Sequence, residues 1–295
     1  MPCLKADFAS DWIAHLRQYM VDVQGWRADE IDALDDRDVR IRYYEAPRRR
    51  PTSAQRRIET ADDFVCPQEL QAGRNVLQAK VRKGQDINSH LSKGHASIKC
   101  LDGLLAEWGV HHFHLGTDPD PRNKNYIGRT GPLLYAVITD DSFLAINVYD
   151  HRCFNDISIL ESVHRNWPEL VRRYRVNGVI GGEWTAADRG MLRANSANIL
   201  TAVSDGTVYM PITGGVNASG MNAEALKTSD YWHIWIRELQ REFETELDSF
   251  LPLLRERGYA GEIDIDAQLI FSDNGLQILF PKYGVLAVLN TVEKR

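Results

Sequence analysis

Cysteine is scarce and scattered in this chain. Cys3, Cys66, Cys100 and Cys153 form no C-x-x-C pair, which excludes the usual zinc ribbon, dithiol redox motif and disulfide framework and makes reduced thiols the expectation. Long apolar runs are missing too. The longest, Ser142–Tyr149 and Gly284–Leu289, fall far short of the roughly 20 residues a membrane-crossing helix needs. The opening MPCLKADFASDW has no apolar stretch before its first acid, so no secretory signal, a cytoplasmic location and no membrane partner are expected. Neither a G-x-S-x-G elbow, an H-E-x-x-H pair, an EF-hand loop nor a Walker pattern occurs. The Gly-rich GGVNASG (214–220) matches no phosphate-cradling spacing.

What is present describes an ordinary folded protein. Hydrophobic residues make up 43% and charged residues 26% of the chain, so disorder and coiled coil fit poorly. A length of 295 residues suggests two domains, expected here at 1–178 and 179–295. The net charge of −6 speaks against a general nucleic-acid binder, but the charge is uneven. Between Arg37 and Arg57 eight arginines face two acids. That segment reads either as a solvated loop or as a phosphate-contacting patch centred on Arg48, Arg49 and Arg50.

Periodicity sets the expected elements. Phe8, Trp12, Ile13, Leu16 and Met20 mark a helix over 7–22; VRIRYYE (39–45) alternates as a half-exposed strand would. A helix over 67–83 stops at Gly84, and a second over 97–108, capped by Ser97, stops at Gly109. Three strands follow: 110–115, 132–139 and 142–149. The last two flank Asp140-Asp141, a tight hairpin spacing, and the first two are separated by the loop TDPDPRNKNYIGRTG (117–131). Farther on come a helix from Asn155 or Asp156, a hairpin turning at Asp205-Gly206, a long helix over 229–258 bent at Pro252, and two or three closing strands. The fold class is α+β: an antiparallel sheet with packed helices in a β-α-α-β-β-β core, plus a C-terminal α+β extension.

The chemistry concentrates between His111 and His151. On a strand, HHFHL places His112 and His114 on one face and His111, Phe113 and Leu115 on the other. An H-x-H pair suits Zn²⁺ or Fe²⁺ if a third ligand arrives, and His151 at the end of the third strand is placed to supply it. The plainer reading is a set of satisfied, partly buried histidines. Asp150-His151-Arg152, with Arg129 at the end of the long loop, combines an imidazole able to move protons near neutral pH with guanidinium groups that hold phosphate. His90 and His95 flank LSKG in a loop, with nothing in their spacing to bring them to the strands.

The order of these elements over 39–154 resembles the core of RelE-type toxin ribonucleases, as do the segments WGVHHFHLG, GRTGPLLYAVITDD and SFLAINVYDHRCF. The chain also has the look of proteins from bacterial mobile elements, which fits a toxin or phage-defence role. The resemblance implies metal-independent acid–base cleavage of RNA, with Arg129, His151 and Arg152 as active groups and His112 or His114 facing them. It implies no cofactor, and RNA and an antitoxin or other protein as partners. The chain departs from the family pattern in its size, its acidity, the Pro132-Leu133 that replaces an expected arginine, and the added residues 179–295. Two other readings stand beside it: a non-enzymatic nucleic-acid or protein-binding module, and a metal-dependent enzyme built on His112, His114 and His151.

Overall fold

The computed structural model describes residues 2–272 and 275–289, apart from the side chain of Arg152. In chain order its regular elements are β1 (Cys3–Lys5), α1 (Phe8–Asp22), α2 (Ala28–Asp32), α3 (Asp36–Glu45), β2 (Arg57–Thr60), α4 (Gln71–Arg82), α5 (Gly103–Trp108), β3 (Val110–Phe113), β4 (Pro132–Ile138) and β5 (Ser142–Asp150). There follow α6 (Ser158–Asn166), α7 (Pro168–Val171), β6 (Arg175–Val176), α8 (Ala186–Ala194), β7 (Thr201–Ala202), β8 (Val208–Tyr209), α9 (Ala223–Thr245), α10 (Leu247–Glu256), β9 (Asp264–Asp266), β10 (Gln268–Ser272), β11 (Gly275–Phe280) and β12 (Val285–Val288). The fold is mixed α+β with mostly antiparallel sheets, and among the described residues no helix is long and apolar enough to cross a membrane.

The chain divides into two units, one formed by residues 1–43 and 227–295, the other by 44–226. The boundary read from the sequence at 178 falls inside the second unit. It lies between β6 and β8, which are hydrogen-bonded neighbours in one small sheet, so residues beyond 178 close a sheet begun before it. In the first unit α1 buries the five apolar residues its periodicity marks, and Asp7 caps it by accepting the Ser10 N–H.

The second unit is built on a four-stranded sheet of order β2-β5-β4-β3, with β2 parallel to β5 and the other pairs antiparallel. One face packs against α4 through Leu77, Val81, Phe113, Leu134, Phe143 and their neighbours. The opposite face packs against α6 and α7 through Leu133, Tyr135, Ile146, Ile159, Val163 and Trp167. Burial of both faces explains why β4 and β5 read as near-continuous apolar runs.

The core that was expected to begin with a strand at 39–45 is not formed. Those residues belong to α3, and Arg57–Thr60 supplies the edge strand. The Asp35 carboxylate accepts the Asp38 N–H at 2.7 Å as a helix cap, and Asp36 and Asp38 in the first turn suit the positive end of the helix dipole. These end effects outweigh the two-residue alternation of VRIRYYE. The second helix is also shorter than expected, because Asp102, not Ser97, caps it. Gly109 ends it at φ +70°, the left-handed conformation expected of a C-terminal glycine. The break in the long C-terminal helix falls between α9 and α10, and Pro252 lies inside α10.

Candidate metal centre

Strand β3 delivers its histidines to two different faces. His112 lies opposite Tyr135 on the α6 side of the sheet, whereas His111 and Phe113 lie opposite Ala136 and Leu134 on the α4 side. This is the alternation the sequence predicts. His111 stacks on Phe113 and donates its Nε2–H to the Arg48 carbonyl at 3.0 Å.

His95 and Asp102 reach the same place from the irregular segment before α5. His95 sits in the 3-10 turn Lys93–Ala96, and Asp102 caps α5 by accepting the Leu105 N–H at 3.0 Å on Oδ1. Both ring nitrogens of His95 face oxygen. Nδ1 lies 3.3 Å from the Arg49 carbonyl, to which it can only donate, and Nε2 lies 3.3 Å from Asp102 Oδ2. A neutral ring that carries its proton on Nδ1 therefore turns the Nε2 lone pair toward a carboxylate oxygen. Two buried acceptors so placed are held apart by repulsion unless a cation, either a proton or a metal ion, stands between them.

His112 completes the group. Its ring meets that of His95 edge-on with centroids 5.8 Å apart, and its Nδ1 is buried without a hydrogen-bond partner. One ligand atom from each of His95, Asp102 and His112 lies within 4.8 Å of the others; among the described residues no other grouping of His, Cys, Asp and Glu does this. Burial pushes the Asp102 carboxyl up, but the His95 contact, the His112 and His95 charges and the Leu105 N–H outweigh it and hold the group below the usual carboxylate range. Burial lowers His112 to about 4, partly offset by Asp102. Asp102 is thus present as an anion and His112 as a neutral imidazole near pH 7, the protonation states a metal requires.

His114 stands in a different role. Its Nδ1 accepts the backbone N–H of Thr130 at 3.1 Å, so in the neutral ring the proton is on Nε2 and no lone pair remains for a metal. His114 in this tautomer therefore offers no lone pair to a metal, and the ligand atoms that cluster with His112 are those of His95 and Asp102, not those of His114 and His151. His151 is exposed, 6.0 Å from the His114 ring and 5.6 Å from Phe154, which in turn packs 4.9 Å from His112 (all centroid distances). Two arginines of α8 fix the turn that carries His151 and Phe154. Arg193 donates to the Phe154 carbonyl at 2.6 Å and Arg189 to the Asn155 carbonyl at 2.7 Å. Arg129 is exposed and adjoins Thr130, and its charge acts on both His112 and His114. Arg129 and His151 therefore converge on His112 and His114, although both come from other segments of the chain. The Arg152 side chain lies outside the described residues.

The grouping of His112 with His95 and Asp102 overturns the metal-independent acid–base ribonuclease implied by the resemblance. Burial also keeps His112 and His114 from titrating near neutrality: each is lowered to about 4. The RNA-contacting patch fails at its centre. Arg49 is fully buried, donating to the carbonyls of Ser97 at 2.9 Å and Ile98 at 3.0 Å and lying 3.5 Å from the Glu45 carboxylate. Arg48 and Arg50 are half-buried, so no continuous basic surface forms there. Asp102 was absent from the sequence-derived candidates, and the signal that locates it is its place as a helix cap immediately before Gly103. No protein-family model matches the chain, and neither a curated protein nor a solved structure does.

Proposed function

We propose that this chain is a metal-dependent enzyme whose centre is a divalent transition-metal ion held by His95, Asp102 and His112. Two imidazoles and a carboxylate make a donor set suited to Zn²⁺, Fe²⁺ or Mn²⁺, and three protein ligands leave positions for water or substrate. The carrying observation is the opposition of His95 Nε2 and Asp102 Oδ2 at 3.3 Å, with the His112 ring beside them. Outer partners of the kind that orient metal ligands are in place: the Arg49 carbonyl behind His95 and the Leu105 N–H on Asp102. Exposed His151 and Arg129 stand beside these buried ligands, which favours an open reactive centre over a closed structural one. The ion would supply Lewis acidity and bring a bound water's pKa down to about 7.

The test is to load the whole chain with Zn²⁺ or Co²⁺, dialyse it and measure its metal content. About one equivalent is expected, lost in Asp102→Asn and in His112→Ala. A wild-type chain holding less than about half an equivalent ends the reading and leaves a proton between His95 and Asp102. Turnover of a panel of aryl esters and phosphate esters, stopped by chelation and restored by metal, tests the enzymatic half. A loaded chain inert on the whole panel reduces the centre to a structural ion.

A further inference from the structure

Behind the metal ligands is a donor with nothing to donate to. Thr130 N–H occupies Nδ1 of His114 at 3.1 Å, so the ring's remaining proton is on Nε2, and that nitrogen is buried without a partner in a residue only 2% exposed. Buried N–H groups are almost always satisfied, and an orphan at a site points to a missing acceptor. Two more donors stand at the same place. Arg129, one residue before Thr130, is exposed and has no hydrogen-bonded or ion-paired partner among the described residues. The imidazole of His151 lies 6.0 Å from that of His114.

We infer that the substrate carries a small oxyanion, a phosphate or carboxylate group, received by His114 Nε2–H, the Arg129 guanidinium and the His151 imidazole beside the metal centre. This rests on the metal reading for what lies next to the anion, but not for the anion site itself. His112 and His114 are two residues apart on one face, so their side chains are about 7 Å apart. An anion bound at His114 therefore sits within about 7 Å of the ion at His112, close enough for one small substrate to reach both. The donors differ in kind: a planar guanidinium grips two oxygens of an anion at once, and the pinned imidazole adds one directed N–H. A neutral oxygen would satisfy the His114 N–H but leave the Arg129 charge without a counter-charge, and a cationic group would be repelled by Arg129.

The experiment titrates inorganic phosphate and, separately, malonate into the whole chain, metal-free and Zn²⁺-loaded, by calorimetry at low ionic strength. The His114 ring is followed by long-range ¹H–¹⁵N correlation. One of the two anions is expected to bind and to shift the His114 Nε2–H resonance, and binding should weaken at least tenfold in Arg129→Gln. The tighter anion names the group. Arg129 is exposed, so this variant tests the site without disturbing the core. Absence of binding by either anion up to roughly 10 mM, or binding unchanged in Arg129→Gln with the His114 resonance unmoved, overturns the inference. Zn²⁺ retention in that case leaves the metal centre standing. Anion binding of the expected kind by a chain that holds no metal supports the oxyanion site and removes only the metal reading.

Discussion

The backbone carbonyl of Arg49 faces Nδ1 of His95 at 3.3 Å, while the guanidinium of the same arginine holds the carbonyls of Ser97 and Ile98. One buried residue thus fixes both the tautomer of His95, a proposed metal ligand, and the path of the chain that carries it. The segment 84–102 has no strand and only 3-10 turns, so no helix or sheet ladder holds the backbone that carries His95.

Replacing Arg49 by Met removes the charge and all its donors, leaving the Ser97 and Ile98 carbonyls and the Glu45 carboxylate without them. Breaking a buried charge network in this way costs roughly 3–5 kcal/mol. Urea denaturation is expected to show that loss, and Zn²⁺ affinity should fall about 10- to 100-fold as His95 loses its orientation. Arg57→Ala is the contrast. Arg57 is exposed and its ion pair with Asp141 lies in solvent, so stability should change by no more than about 1 kcal/mol. Equal effects for the two variants would refute the assignment.

The sequence showed some of this and hid the rest for physical reasons. Strand alternation is local, so the common face of His112 and His114 and the separate face of His111 were legible from HHFHL. The hairpin at Asp140-Asp141 and the stop at Gly109 were legible too, because turn chemistry acts over a few residues. VRIRYYE was misread because its alternating pattern also fits a helix in which Val39, Ile41, Arg42 and Glu45 are buried, and because the deciding cap at Asp35 lies outside the pattern. Asp102 went unseen for a related reason: a helix over 97–108 places it mid-helix, whereas the cap belongs at Asp102 itself. The arginine cluster looked like a surface because charge usually is one. Nothing local shows that Arg49 turns inward to carbonyls almost fifty positions away.

His90 makes stability depend on pH. It is fully buried, its Nδ1–H donates to the His114 carbonyl at 3.0 Å, and burial lowers it to about 4. A histidine starts near 6.5 in the unfolded chain. Its folded value is depressed, so between these two limits the unfolded state binds the extra proton and acid favours unfolding. The contribution is complete above about pH 6.5 and disappears as pH falls to about 4, about 3 kcal/mol in all, of which about 2 is gone at pH 5. Urea titrations of the metal-free chain at pH 7 and pH 5 should show the drop. In His90→Gln, which keeps a donor but cannot titrate, the difference should shrink by about that amount. An unchanged pH dependence in the variant would place the acid sensitivity elsewhere.

Gly73 sets how closely α4 approaches the end of β3. A Cβ built there would lie 1.7 Å from the Leu115 carbonyl oxygen and 2.4 Å from its carbon, both backbone atoms with no rotamer to move aside. Ordinarily Gly→Ala inside a helix stabilises by roughly 1 kcal/mol through propensity. Here the sign reverses, because α4 must lift from the sheet or Leu115 must shift. Leu115 directly follows His114, and its N–H donates to Thr130 Oγ1 at 3.1 Å, the residue whose own N–H pins His114. Displacement of Leu115 is therefore passed to the His114–Thr130 pair. Gly73→Ala is expected to destabilise the chain by at least about 2 kcal/mol, as overpacking does, and to weaken phosphate or malonate binding while leaving Zn²⁺ content near one equivalent, since none of the three ligands lies on that connection. Wild-type stability in this variant would mean that the helix and strand are not in the close contact from which the geometry at His114 follows.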